Sequence, residues 1–110
     1  MIKGIGVDIV KVERVKEALG RKVLTGCEEY KNDEHFAGIW AAKEAIVKAM
    51  GCGIGEMAFK DMEIVHDELG APKVLLSKKG QTKLKDMGAS YLHISISHEK
   101  EFAVAFAVIE

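Results

Sequence analysis

Over residues 2–10 apolar and small positions alternate. Ile5, Val7 and Ile9 fall on one face, and Gly4, Gly6, Asp8 and Val10 on the other, because successive side chains of a strand point to opposite sides. Val12, Val15 and Leu19 then recur at helical spacing and predict a short helix over 12–19, ended by Gly20. Thr25-Gly26-Cys27-Glu28 has the form of a capping box and predicts a further short helix to about Lys31. The most periodic stretch is 33–50, where Phe36, Ile39, Trp40, Ile46, Val47 and Met50 share one helical stripe before Gly51. Residues 59–66 read as a strand, Asp67–Pro72 as a turn, Lys73–Leu76 as the returning strand and 78–87 as a weak helix interrupted by Gly80. Leu92, Ile94 and Ile96 alternate with Tyr91, His93, Ser95 and Ser97. Residues 102–109 are nearly all apolar, the pattern of a strand buried on both faces. These last two are close enough to pair as a hairpin. The elements predict an α+β fold, a small and mainly antiparallel sheet packed against one long helix and shorter ones.

A chain of 110 residues is the size of one domain, here 1–110, and 48% hydrophobic residues suffice for a core without staples. The 30% charged residues, single proline and ordinary glycine content exclude disorder and low complexity. No apolar run approaches the ~20 residues of a membrane span, and Met1-Ile2-Lys3-Gly4 does not read as a signal peptide. Cys27 and Cys52 have no metal or redox spacing and read as reduced thiols of a cytosolic protein. A net charge of −1 argues against a wholesale electrostatic grip on nucleic acid.

Several residues break the local pattern. Lys43 lies near the middle of the long helix's apolar arc, roughly 120° wide at about 100° per residue. A lysine there snorkels to a core-edge carboxylate, meets an anion, or borders a solvent-filled cleft. Replacing it with methionine would keep or raise stability if the cleft reading holds. Glu44 flanks the arc, with Lys48 four residues on, the spacing of a surface ion pair. Asp8 ends a strand face that otherwise carries Gly4, Gly6 and Val10; glycines in a strand mark close approach by backbone or ligand. The aspartate caps the next helix or stands in an open pocket. In the second case Asp8 and Glu44 offer two hard oxygen ligands to a divalent cation and leave room for water and phosphate, as Mg²⁺ prefers. Gly51-Cys52-Gly53-Ile54-Gly55 is a helix stop and tight turn, or a loop whose amides approach a phosphate. Ser97 and His98 end a strand. Lys11, Arg14, Arg21 and Lys22 make the first helix basic, a solvated face or a docking face for an acidic partner.

Together these segments resemble a known family. Gly4-Ile5-Gly6-Val7-Asp8-Ile9-Val10 is similar to the opening of holo-acyl-carrier-protein synthases, and Trp40-Ala41-Ala42-Lys43-Glu44-Ala45-Ile46-Val47-Lys48-Ala49 to the signature of 4′-phosphopantetheinyl transferases. Gly51-Cys52-Gly53-Ile54, Gly70-Ala71-Pro72 and Ser95-Ile96-Ser97-His98 follow in the family's order. The resemblance implies the 4′-phosphopantetheinyl transferase-like fold. It also implies Mg²⁺-dependent transfer of the phosphopantetheine arm of coenzyme A to a serine of apo acyl carrier protein, with release of 3′,5′-ADP. It implies a homotrimer with sites at subunit boundaries, and neither a nucleic-acid nor a membrane partner. Asp8 and Glu44 match the metal ligands, and with Lys48, placed for the diphosphate, they form the catalytic set. Lys43 is implied to face the anionic cleft. Gly51, Gly53, Ile54, Pro72, Ser97 and His98 match stretches lining the nucleotide pocket, His98 near the 3′-phosphate. Arg14 and Arg21 match the helix that receives the carrier protein. Ile39 stands where the family commonly has arginine. The competing expectation is a coenzyme A or nucleotide-binding module without transfer, against which the two carboxylates and the Lys-Glu-x-x-x-Lys spacing argue.

Overall fold

The alternation at the N-terminus forms β1 (Gly4–Lys11), which leads directly into α1 (Val12–Ala18). The long stripe forms α2 (Asp33–Ala49). After a 3₁₀ turn at Phe59–Asp61 come β2 (Met62–His66), β3 (Pro72–Leu76), α3 (Lys78–Asp86), β4 (Leu92–His98) and β5 (Phe102–Ile109). The computed structural model describes residues 1–18, 23–26, 28–52 and 56–110, without the side chains of 16–18. Gly20, where the sequence ends the first helix, lies outside them.

The strands form two antiparallel sheets. One has the order β1-β5-β4, and the other pairs β2 with β3. β4 and β5 make the expected hairpin, with Ile94 opposite Ala107 and Ile96 opposite Ala105. β1 closes the other edge of β5, with Gly6 opposite Ala107 and Asp8 opposite Ala105. The β2–β3 turn is held by Asp67, whose Oδ1 accepts from the Leu69 and Ala71 amides at 2.9 Å, and by Gly70 at φ +86°.

Helix α2 lies across the inner face of the larger sheet, and small residues bring it close. Ala41, Ala42, Ala45 and Ala49 of the helix and Ala103, Ala105 and Ala107 of β5 are buried. A Cβ on Gly4 would stand 2.0 Å from the Ala49 carbonyl oxygen, and one on Gly6 2.1 Å from that of Ala45. The two strand glycines therefore mark an approach by helix backbone, and the space above them is filled rather than open. Asn32 caps the helix start, its Oδ1 accepting from the His35 amide at 2.8 Å. The helix ends in a Schellman arrangement. The Cys52 amide donates to Val47 O and the Gly51 amide to Lys48 O, with Gly51 at φ +68°.

Two expectations are corrected. Residues 28–31 form no helix. Glu28 instead turns inward: its Oε1 accepts from the Thr25 amide and its Oε2 from the Ile64 amide, both at 2.6 Å. Half of the capping-box bonding is present and stitches a turn to β2. The apolar run of β5 is covered on one face only. Ala103, Ala105, Ala107 and Ile109 are buried beneath α2, while Phe106 on the other face is 50% exposed. Ile5, Val7 and Ile9 of β1 share that outer face and are also exposed.

Candidate functional site

Close packing of α2 on β1 sets Glu44 beside Asp8. Asp8 lies on the helix-facing side of β1, two residues beyond Gly6, and its side chain is 13% exposed. Lys48, one turn after Glu44, reaches across the strand. Its Nζ donates to Asp8 Oδ1 at 2.9 Å and to the Val7 carbonyl at 3.0 Å. Among the described residues, Asp8 Oδ2 and Glu44 Oε1 are buried without a hydrogen-bond partner. Burial pushes the Glu44 carboxyl above its ordinary range, the Asp8 charge adds to the rise, and Lys48 opposes it. An orphaned carboxylate oxygen is costly unless a cation or donor meets it. This donor set suits a hard divalent cation that takes few protein ligands and fills its remaining positions with water and phosphate oxygens. Among the described residues no group of three His, Cys, Asp or Glu side chains forms a fuller metal site.

Lys43 is elsewhere. Its side chain is fully buried and paired with Glu28 at 2.7 Å, the carboxylate being equally buried. Nζ also approaches Val23 O at 2.8 Å, Phe59 O at 3.2 Å and Thr25 Oγ1 at 3.3 Å. An ammonium has three protons, so these four acceptors exhaust it. The expectation that Lys43 faces an anionic cleft and binds coenzyme A is corrected: it is a core lysine tying α2 to the 23–28 turn and the 3₁₀ segment. Burial lowers its pKa, and the Glu28 hydrogen bond and charge work against that fall. Glu28 could have been sought from the sequence, since a lysine inside an apolar arc requires a carboxylate.

The remaining residues separate. Gly51 terminates α2 through its positive φ; Gly53 and Ile54 lie outside the described residues. Pro72 and His98 line one cavity of about 180 Å³ with His35, Gly38, Ile39, His66, Gly70 and Ile96. Ser97 faces the opposite side of the sheet, opposite Val104, so it does not join His98. Strand parity carries that signal, because His98 runs with Ile94 and Ile96. His35 and His66 were not singled out in the sequence; His35 sits in the first turn of α2 and His66 ends β2. Arg14 is exposed and, with Lys11, Trp40 and Phe102, lines a larger cavity of about 380 Å³ beside α1. Arg21 lies outside the described residues. Cys52 is a free thiol that burial pushes up.

Residues 4–107 match the family model of the 4′-phosphopantetheinyl transferase superfamily. The chain is 40% identical to a holo-[acyl-carrier-protein] synthase of Fusobacterium nucleatum, covering 99% of both chains. It is 43% identical to the synthase of Campylobacter fetus, over 96% of this chain and 98% of that one. Among solved structures it resembles the holo-[acyl-carrier-protein] synthase of Neisseria meningitidis (TM-score 0.87, 34% identity, 100% and 99% covered). It also resembles that of Bacillus anthracis in complex with CoA (3′,5′-ADP) (TM-score 0.80, 38% identity, 100% and 97% covered).

Proposed function

Because the chain belongs to the 4′-phosphopantetheinyl transferase superfamily, we propose that it moves the phosphopantetheine arm of coenzyme A onto a serine hydroxyl of apo acyl carrier protein. In this reading it is a holo-acyl-carrier-protein synthase, Mg²⁺-dependent, and releases 3′,5′-ADP. The observation that carries the proposal is the pair of orphaned oxygens, Asp8 Oδ2 and Glu44 Oε1, beside Lys48. Transfer to a serine oxygen breaks the bond between the β-phosphorus and the bridging oxygen of the diphosphate, and negative charge grows on the departing 3′,5′-ADP. Asp8 and Glu44 would hold the Mg²⁺, which when bound supplies charge stabilisation at the diphosphate. Lys48 is half-exposed and anchored by Asp8 and Val7 O, so its ammonium is held where a diphosphate oxygen can reach it. The serine comes from the partner, and no nucleophile is required of this chain. Arg14, exposed on α1, suits an acidic carrier surface.

The uncovered outer face of β1 and β5 supports a homotrimer. Ile5, Val7, Ile9 and Phe106 form an apolar patch that copies of the chain would bury. Incubation with coenzyme A, Mg²⁺ and an apo carrier, followed by mass spectrometry of the carrier, tests the activity. A gain of one phosphopantetheine group that needs Mg²⁺ is expected. Coenzyme A binding without any gain would make the chain a binding module instead.

A further inference from the structure

We propose that the lysine-rich face of α3, with Lys3 and Lys60 beside it, is a cationic rim that steers coenzyme A, a polyanion, toward the Asp8–Glu44–Lys48 site. The inference rests on the coenzyme A reading above. Among the nine residues of α3 stand Lys78, Lys79, Lys83 and Lys85, against one acid, Asp86. The helix turns Gly80 inward and leaves Lys78, Lys79 and Lys85 exposed, as are Lys3 and Lys60. Lys3 reaches the end of the helix: a Cβ on Gly88 would stand 4.0 Å from its Nζ. Lys60 joins at the side. Burial opposes it, yet hydrogen bonds from Ser77 and the Ala58 amide, and then the charges of Lys79 and Lys60, hold the Asp61 carboxyl below its ordinary range. Lys83 pairs with Glu56 at 3.2 Å. Among the described residues Lys3, Lys60, Lys78, Lys79 and Lys85 have no ion-pair partner.

Charge is segregated along α2. At the start of that helix Glu13, Asp33 and Glu34 line a groove with Lys100, and the lysines of α3 gather at its other end. Met87, which follows α3, meets the helix-facing side of Gly4 beside the Ala49 carbonyl, so α3 joins α2 at the turn that carries Lys48. Burial and Glu56 raise the Cys52 thiol, and Lys83 and Lys79 oppose the rise. Both ammonium groups therefore act on the segment that leaves α2 just past Lys48. The site's own side chains set two carboxylates, Asp8 and Glu44, against one ammonium, and at long range that excess repels a polyphosphate. Unpaired lysines at the rim reverse the sign of the field over ~10 Å at 0.1 M salt. Lysine ammoniums are strongly hydrated point charges on flexible stems, so they attract an anion without fixing its geometry. An acidic carrier fits this face less well. Arg14 lies on α1, which continues from the far end of β1, whereas α3 meets the start of that strand, about 25 Å away.

Stopped-flow association of coenzyme A, labelled on its thiol with a fluorophore, tests the rim in the intact chain. The association rate constant should fall at least roughly tenfold from about 0.01 M salt, where charges act over ~30 Å, to about 1 M, where they act over ~3 Å. The variant Lys78→Glu/Lys79→Glu/Lys85→Glu should associate at least roughly tenfold more slowly at low salt and lose most of the salt dependence. Its dissociation rate, and its kcat at saturating coenzyme A, should match the parent's. The variant Lys78→Arg/Lys79→Arg/Lys85→Arg should keep the parent's association rate, because steering reads charge alone. All three positions are exposed, so melting should move no further than surface substitutions move it. Association that ignores salt, a glutamate variant as fast as the parent, or an arginine variant as slow as the glutamate one would each overturn the proposal. So would a glutamate variant that raises the KM for the apo carrier and leaves coenzyme A association unchanged, since the face would then be a carrier dock. Association with the expected dependence on salt and on α3, but with no transfer, would defeat the transfer reading and leave the steering standing. No association of coenzyme A at any salt would overturn both.

Discussion

Lys43→Met separates the arithmetic of a helix stripe from that of a buried charge. On the stripe alone the change is favourable, since methionine puts an apolar chain in the middle of an apolar arc. In the folded chain, however, it strands Glu28. That carboxylate is fully buried with Lys43 as its ionic partner, and among the described residues it retains the Thr25 and Ile64 amides. Val23 O and Phe59 O lose a donor at the same time. Removing one member of a buried pair costs about 3–5 kcal/mol. We therefore predict a loss of about 3–5 kcal/mol. At roughly 4 °C per kcal/mol for a chain of this length, Tm falls by roughly 12–20 °C. Thermal melting by circular dichroism at pH 7 reads this directly. The double variant Lys43→Met/Glu28→Gln removes the stranded charge and should regain at least half of the loss. A single variant within about 4 °C of the parent, or a double variant no more stable than the single, would refute the reasoning.

Three further outcomes are expected. Glu44→Gln should lower transfer at least a hundredfold, as loss of a metal ligand does, yet melt no lower than the parent at pH 7. Because the folded carboxyl is held above its ordinary range, Glu44 favours the fold while protonated and loses that contribution as pH rises through its raised pKa. The variant's advantage should thus appear above about pH 4.5 and vanish below it, and a variant clearly less stable at pH 7 would contradict the orphaned-oxygen account. Gly6→Ala, whose Cβ would stand 2.1 Å from Ala45 O and 2.8 Å from Ala49 N, should cost on the order of 3 kcal/mol in urea denaturation, whereas a neutral result would mean that α2 does not rest on β1 here. Phe106→Asp, on the outer sheet face, should convert the proposed trimer to monomer in light scattering, and a chain already monomeric before the change would refute the trimer.

Most elements are legible in the local pattern, the expected helix ending near Lys31 being the exception. Period-2 and period-3.6 patterns are local, so β1, α2, the β2–β3 turn, α3 and the β4–β5 hairpin were all legible. Asp8 and Glu44 were legible as two carboxylates that violate their own elements' patterns, and the fold sets them side by side. What lies across a gap is set by packing between distant segments. Gly4 and Gly6 announced a close approach, but only packing identifies the visitor as the backbone of α2. Lys43 announced a buried charge, and its partner Glu28 lies fifteen residues away in a segment whose local code reads as a helix cap. His35, His66 and His98 carry no shared spacing, since their elements meet only in the folded chain. The apolar run of β5 states that both faces avoid water, while a single chain covers one of them. Hydrophobic periodicity records whether a side chain must be buried; it holds no information about which distant atom buries it.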